Sequence, residues 1–225
     1  MKQLVLDIKP PAAPTLENFL LGRNVELLRM LKNILTQQEK ERFVYLWGGL
    51  GCGRSHLLHA VVDIYSRNNQ KAVYFSCQNQ VDFSLDSDLD CVAIDDVDQL
   101  DASTQIKLFN LYNQLRDEGH AFFIASGAAP PAQLSMRQDL VTRLGWGLVY
   151  QVHELTEAEK MQALISHAAE CGFDLSQEIC QYLLRHGRRD LPSLMTTLDA
   201  LDHYSLANKR RITIPLLREL LQGET

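Results

Sequence analysis

The stretch Phe43-Val44-Tyr45-Leu46-Trp47-Gly48-Gly49-Leu50-Gly51-Cys52-Gly53-Arg54-Ser55 decides the fold. Its consecutive apolar residues read as a strand buried on both faces, broken abruptly by the glycines at 48, 49, 51 and 53. From Ser55 to Arg67, Leu57, Leu58, Val61, Val62 and Ile64/Tyr65 recur on one side of a helix. Gly48 to Ser55 fits G-x-x-x-x-G-K-[ST] with Arg54 in the place of lysine. Such a loop turns successive backbone N–H groups inward around phosphate oxygens. The helix N-terminus behind it favours negative charge, and the Ser55 hydroxyl is of the type that holds Mg²⁺. A strand before and a helix after are the context the motif requires, so the expected nucleotide-holding residues are Gly48, Gly49, Gly51, Cys52, Gly53, Arg54, Ser55 and His56. The competing reading is a glycine turn with no ligand.

Outward from this loop, strand and helix signals alternate. Ala72–Phe75, Cys91–Ile94, Ala121–Ala125 and Leu148–Tyr150 are further strand-like runs, and Ile106, Phe109, Tyr112 and Leu115 mark a helix between Ala102 and Glu118. Upstream, Asn24 is an N-cap candidate for a helix running to about Gln38. Beyond Leu155 the strand signal stops. Thr156 and Glu159 form a capping box, Gly172 closes that helix, and Ser176 and Asp190 cap two more before a last helix over Thr213–Leu221. The expected class is α/β: a parallel sheet flanked by helices, followed by a small all-α piece. The expected segments are 1–14 (peptide and proline-rich linker), 15–152 (α/β body) and 153–225 (helical piece).

Composition bounds the partners. The 225 residues carry 22 Lys+Arg against 28 Asp+Glu, a net charge of -6, which argues against a protein that coats duplex nucleic acid. No apolar run reaches the ~18–20 residues of a spanning helix, and the first residues do not form a signal peptide, so a cytoplasmic location is expected. The five cysteines are scattered without C-x-x-C, which reads as small buried hydrophobes in a reducing compartment and argues against zinc. As a pair three apart on one helix, His56 and His59 read as structural rather than as metal ligands, Trp146 as packing rather than ligand stacking, and Lys209-Arg210-Arg211 as a solvated turn rather than a nucleic-acid patch.

The second half of the site is Cys91-Val92-Ala93-Ile94-Asp95-Asp96, an apolar strand ending in an acidic pair. Asp95 is placed to order a Mg²⁺ shell, and Asp96 to position a water. Arginine and lysine are not interchangeable at the phosphate loop, because the guanidinium is planar and larger. Arg54 therefore predicts retained binding with altered γ-phosphate geometry.

At this point the sequence resembles an AAA+ ATPase, specifically the nucleotide-binding part of the bacterial replication initiator DnaA. The carriers are Asn18-Phe19-Leu20-Leu21-Gly22-Arg23-Asn24, the phosphate loop through Ala60, and Ile94-Asp95-Asp96-Val97. Pro130-Pro131-Ala132-Gln133-Leu134, Leu140–Leu148 with its Arg-Leu-Gly-Trp-Gly block, and Arg189-Asp190-Leu191 complete them. The resemblance implies that Arg143 is an arginine finger acting on a neighbouring subunit's nucleotide. It makes Arg189 the sensor-2 residue, with Arg188 as the alternative. The family's sensor-1 aspartate is absent from Ser126-Gly127-Ala128-Ala129, which with Arg54 implies weak or no intrinsic ATPase activity.

The layout, with no DNA-reading domain after the helical piece, is similar to that of regulatory, inactivating members of this DnaA-related branch. These open with a peptide that docks on the DNA polymerase sliding clamp, and Gln3-Leu4-Val5-Leu6-Asp7-Ile8 is a variant of it, with Gln3, Leu4, Leu6 and Ile8 as the contacts. An ordinary edge strand is the alternative for the same residues. The resemblance thus implies a negative regulator holding ADP or ATP with Mg²⁺, whose partners are the clamp, DnaA and, as an open point, a second copy. A truncated initiator or helicase-loader ATPase and a non-catalytic nucleotide-gated adaptor are the competing functions.

Overall fold

Alternating apolar residues along each central strand point to opposite faces, and that alternation builds the layers. The computed structural model describes residues 13–36, 38–79, 81–83, 88–187 and 190–223. Two units pack separately, Ala13–Glu154 and the segment from Leu155 onward. In the first unit the described residues form five strands, β1 (Phe43–Trp47), β2 (Ala72–Ser76), β3 (Cys91–Asp95), β4 (Phe122–Gly127) and β5 (Leu148–Gln151). Their order is β2-β3-β4-β1-β5 with every pair parallel. Val44, Leu46, Cys91, Ala93, Phe122 and Ile124 join one core with helices α1 (Val25–Leu35) and α2 (Arg54–Arg67). Phe43, Tyr45, Val92, Ile94, Phe123 and Ala125 join the core on the other face with α3 (Ala102–Glu118) and α4 (Gln138–Leu144). The expected α/β class is what forms. Continuous burial holds for the inner strands β3 and β4 and for most of β1, whereas the edge strands β2 and β5 are only partly covered.

Asn24 precedes α1 but its side chain does not cap the helix. Its amide instead makes two bonds to the backbone of His153, donating to the carbonyl at 2.9 Å and accepting from the N–H at 2.7 Å. At 2% exposure Asn24 must satisfy its polar atoms internally, and a strand exit offers a matched donor and acceptor.

The second unit holds α5 (Glu157–Glu170), α6 (Gln177–His186), α7 (Leu191–Asn208) and α8 (Ile214–Gly223) around Leu164, Leu183, Leu194, Leu198, Leu201, Leu216 and Leu217. The capping box is complete: Thr156 accepts from the Glu159 N–H while Glu159 accepts from the Thr156 N–H. Ser176 and Asp190 cap α6 and α7 through their side chains. Four cysteines are buried as expected, but Cys171 is exposed, because it sits where α5 ends. No helix among the described residues is long and apolar enough to cross a membrane. The segments Gln3–Ile8 and Arg188-Arg189 lie outside the described residues, and with them the clamp-contact and sensor-2 expectations.

Candidate nucleotide site

In open parallel sheets ligands bind beyond the carboxyl ends of the strands. Here β1, β3 and β4 deliver the glycine loop, the acidic pair and Ser126-Gly127 to that same edge of the sheet. Two loop glycines have left-handed backbone, Gly51 at φ +78° and Gly53 at φ +102°, which side chains rarely adopt. A Cβ on Gly53 would also meet the Phe19 ring at 2.7 Å. Phe19 packs edge-on to His56, whose Nε2 bonds the Thr15 carbonyl oxygen at 2.9 Å. The segment over 15–19 therefore braces the start of α2. Burial holds the His56 imidazole below its ordinary value, with the Thr15 bond opposing. In the sequence Phe19 stands out only as part of a motif; its position behind the loop appears only in three dimensions. Cys52 is buried within the loop, and burial raises its thiol. Ser55 is exposed on the first turn of α2, and Leu50 at the loop's tip is 92% exposed.

Arg54 opens α2 and is 9% exposed. Its Nη2 lies 3.0 Å from Asp96 Oδ1, while its Nη1 is buried without a hydrogen-bond partner among the described residues. Asp96 itself has left-handed backbone (φ +57°) and takes a second bond on Oδ2 from Gln78 at 2.7 Å. Asp95 is 2% exposed. Its Oδ2 accepts from the Tyr74 hydroxyl at 2.8 Å and its Oδ1 from the Ser126 hydroxyl. Ser126 Oγ in turn accepts from the Asp96 N–H at 3.1 Å. The serine standing in the sensor-1 region thus ties the end of β4 to both members of the acidic pair. Burial and the adjacent Asp95 carboxylate push the Tyr74 phenol well above its ordinary value, so it remains a donor. Burial, with the Asp95 and Asp96 charges behind it, raises the Cys77 thiol to about 12.

Arg143 lies in the last turn of α4. The buried Gln105 of α3 sets the start of that helix, accepting from the Arg137 N–H at 2.9 Å and donating to the Leu100 carbonyl at 2.9 Å. The Arg143 guanidinium stacks over Trp146 at 4.0 Å and reaches the Phe109 ring at 5.6 Å. Trp146 is 52% exposed, with Arg116 over it at 5.4 Å, so its packing is under arginines at the surface. His59 stacks on Tyr74 at 3.9 Å, and Arg210 pairs with Glu219.

Comparison with known proteins follows the same division. The family described as the bacterial DnaA ATPase domain matches residues 12–151, and the family described as the Hda lid domain matches residues 157–221. Domain III of the replication initiation protein DnaA from Thermotoga maritima is similar with a TM-score of 0.75 and 21% identity, over 95% of this chain and 98% of that one. AMPPCP-bound DnaA from Aquifex aeolicus gives 0.70 and 20%, over 90% of this chain and 68% of that one. The RuvB Holliday junction branch migration motor of Thermotoga maritima gives 0.66 and 16%, over 93% and 71%. At these identities the structural likeness is one of fold.

Proposed function

The chain belongs to the bacterial DnaA ATPase domain family and carries a lid of the Hda family, and from that premise we propose that it is a clamp-tethered, nucleotide-holding inactivator of DnaA. The observation that carries the nucleotide reading is Arg54. A buried guanidinium with one nitrogen unpartnered, at the end of a glycine loop and the start of a helix, is complementary to a phosphate oxygen. Leaving such a donor unpaired costs about 1–3 kcal/mol, which a phosphate would recover. ADP or ATP fits this chemistry. Ser55 would ligate the accompanying Mg²⁺ and Asp95 would order its water shell, the ion supplying charge neutralisation on the phosphates.

The same arginine makes the chain a poor catalyst for its own nucleotide. Arg54 engages Asp96, the residue that would position the attacking water, and Gln78 holds the other carboxylate oxygen. Ser126-Gly127-Ala128-Ala129 at the end of β4 holds no aspartate, and Ser126 is committed to Asp95 and to the Asp96 backbone. Catalytic contribution is instead directed outward. Arg143, carried on the short helix that Gln105 anchors, would insert beside the γ-phosphate of ATP held by DnaA and neutralise charge developing there. The half-exposed Trp146 beside it would pack in that contact. Gln3, Leu4, Leu6 and Ile8 would hold the protein on the DNA-loaded clamp, raising its concentration where replication is under way. By the family resemblance, Arg189 is proposed as the sensor-2 residue.

Arg143→Ala tests the central step. Clamp-dependent ATP hydrolysis by DnaA, measured with the purified proteins, is expected to fall by about 10³-fold, the scale of an arginine finger. Unchanged stimulation would remove the finger from Arg143 and favour an adaptor without a catalytic residue.

A further inference from the structure

His167 and Cys171 stand four residues apart at the C-terminal end of α5, so their side chains leave the same face of the helix. Asp199 comes from α7, which packs against α5 through the shared leucine core. The donor atoms converge. His167 Nε2 is 2.7 Å from Asp199 Oδ1, and Cys171 Sγ is 3.8 Å from each of those two atoms. Among the described residues this is the cluster of three metal-ligating side chains whose donor atoms all lie within 4.8 Å of one another.

Two simpler readings do not account for it. A nucleophile–base–orienter relay needs the cysteine and the carboxylate on opposite ring nitrogens, one to receive the proton and one to hold the tautomer. Here both face the same nitrogen, Nε2. An isolated histidine–aspartate pair explains the short contact but not a sulfur turned to both partners.

We propose that His167, Cys171 and Asp199 form a site for a borderline-soft divalent cation of the zinc class, which would clamp α5 to α7 in the lid. With bonds of about 2.3 Å to sulfur and about 2.0–2.1 Å to nitrogen and oxygen, tetrahedral ligation asks for donor separations of roughly 3.3–3.6 Å. The observed triangle reaches that by opening the nitrogen–oxygen edge a little and drawing the sulfur in a little. The mixed donor set selects against Mg²⁺ and Ca²⁺, which take oxygen ligands. His167 and Asp199 side chains are 25% and 41% exposed and Cys171 is exposed, so the ion has an entry path and room for a water as fourth ligand. Asp202, one turn along α7 from Asp199, adds negative charge near the sulfur. The site lies in the lid and does not depend on the phosphate-loop reading.

Full-length protein, stripped with chelator under reducing conditions, would be titrated with Co²⁺ and then Zn²⁺. One equivalent is expected to bind with a thiolate-to-cobalt charge-transfer band that Zn²⁺ abolishes, and with a rise in melting temperature. Cys171→Ser should remove that band, and both Cys171→Ser and His167→Ala should weaken Zn²⁺ binding by about 100-fold. Cys171 is exposed, so its serine variant keeps the fold, and nucleotide affinity serves as the internal check. Absence of the band in the parent protein, or unchanged affinity in the serine variant, would overturn the site and leave a surface ion pair beside a thiol.

Discussion

Arg54 differs from the lysine of its motif in reach as well as in shape. A compact ammonium at that position serves the phosphates alone, whereas the guanidinium spans from the loop to Asp96 and leaves a second nitrogen facing inward. Arg54→Ala removes a charged donor worth about 1.5–3 kcal/mol, so affinity for a fluorescent ADP analogue should fall by roughly 10–150-fold. The alanine also leaves Asp96 short of its counter-charge, so the double variant with Asp96→Asn separates lost phosphate contact from lost stability. Equal ADP binding by that double variant and the parent would show that the guanidinium faces no phosphate. Arg54 was legible from the motif, because the glycines and the following helix fix its position. Its partnership with Asp96 was not, since nothing in a linear pattern tells which of two adjacent carboxylates turns toward the arginine.

Helix signals written into short local patterns transfer directly to structure. Thr156, Ser176 and Asp190 each cap the helix that their sequence context assigns to them, because an N-cap bond spans only three residues. Asn24 is the exception, and its reason is tertiary: a backbone partner from far along the chain outcompetes the local N–H groups. Helix α4 carried no such signal. Its start is set by Gln105 of another helix, and it is too short for periodicity to reveal. The cluster on α5 and α7 was hidden for the same reason, since one donor comes from a different helix. At the capping box, where both reciprocal bonds form, Thr156→Ala should cost the helical unit about 1 kcal/mol, measured by chemical denaturation. A change below a few tenths would mean that α5 is held by its packing alone.

At the scale of the whole molecule, the charge bounds the partners and the parallel sheet places the candidate site. A net charge of -6 argues against a protein that coats duplex nucleic acid, and the carboxyl edge of the sheet gathers Arg54 and Asp96 at one place. Deleting residues 1–9 is expected to abolish capture by immobilised sliding clamp while leaving ADP affinity within about twofold, because no nucleotide contact is assigned to those residues. Retained capture would move the docking surface into the body. The α/β class was readable because buried parallel strands are continuous in sequence. The two edge strands are partly uncovered, a property of the strand order that no single run of residues encodes.

The clasp between Asn24 and His153 joins residues 129 apart in sequence. Tyr45, on the strand that carries the phosphate loop, bonds Ala129 across 84. A ribosome adding about 5–20 residues per second needs roughly 6–26 s to deliver the second member of the clasp after the first. Within that interval β1 gains its two neighbours late, β4 only after residue 127 and β5 only after residue 151 have been made. The body therefore completes its fold only near the end of its own synthesis, and a helper that shields nascent chains would be met there first.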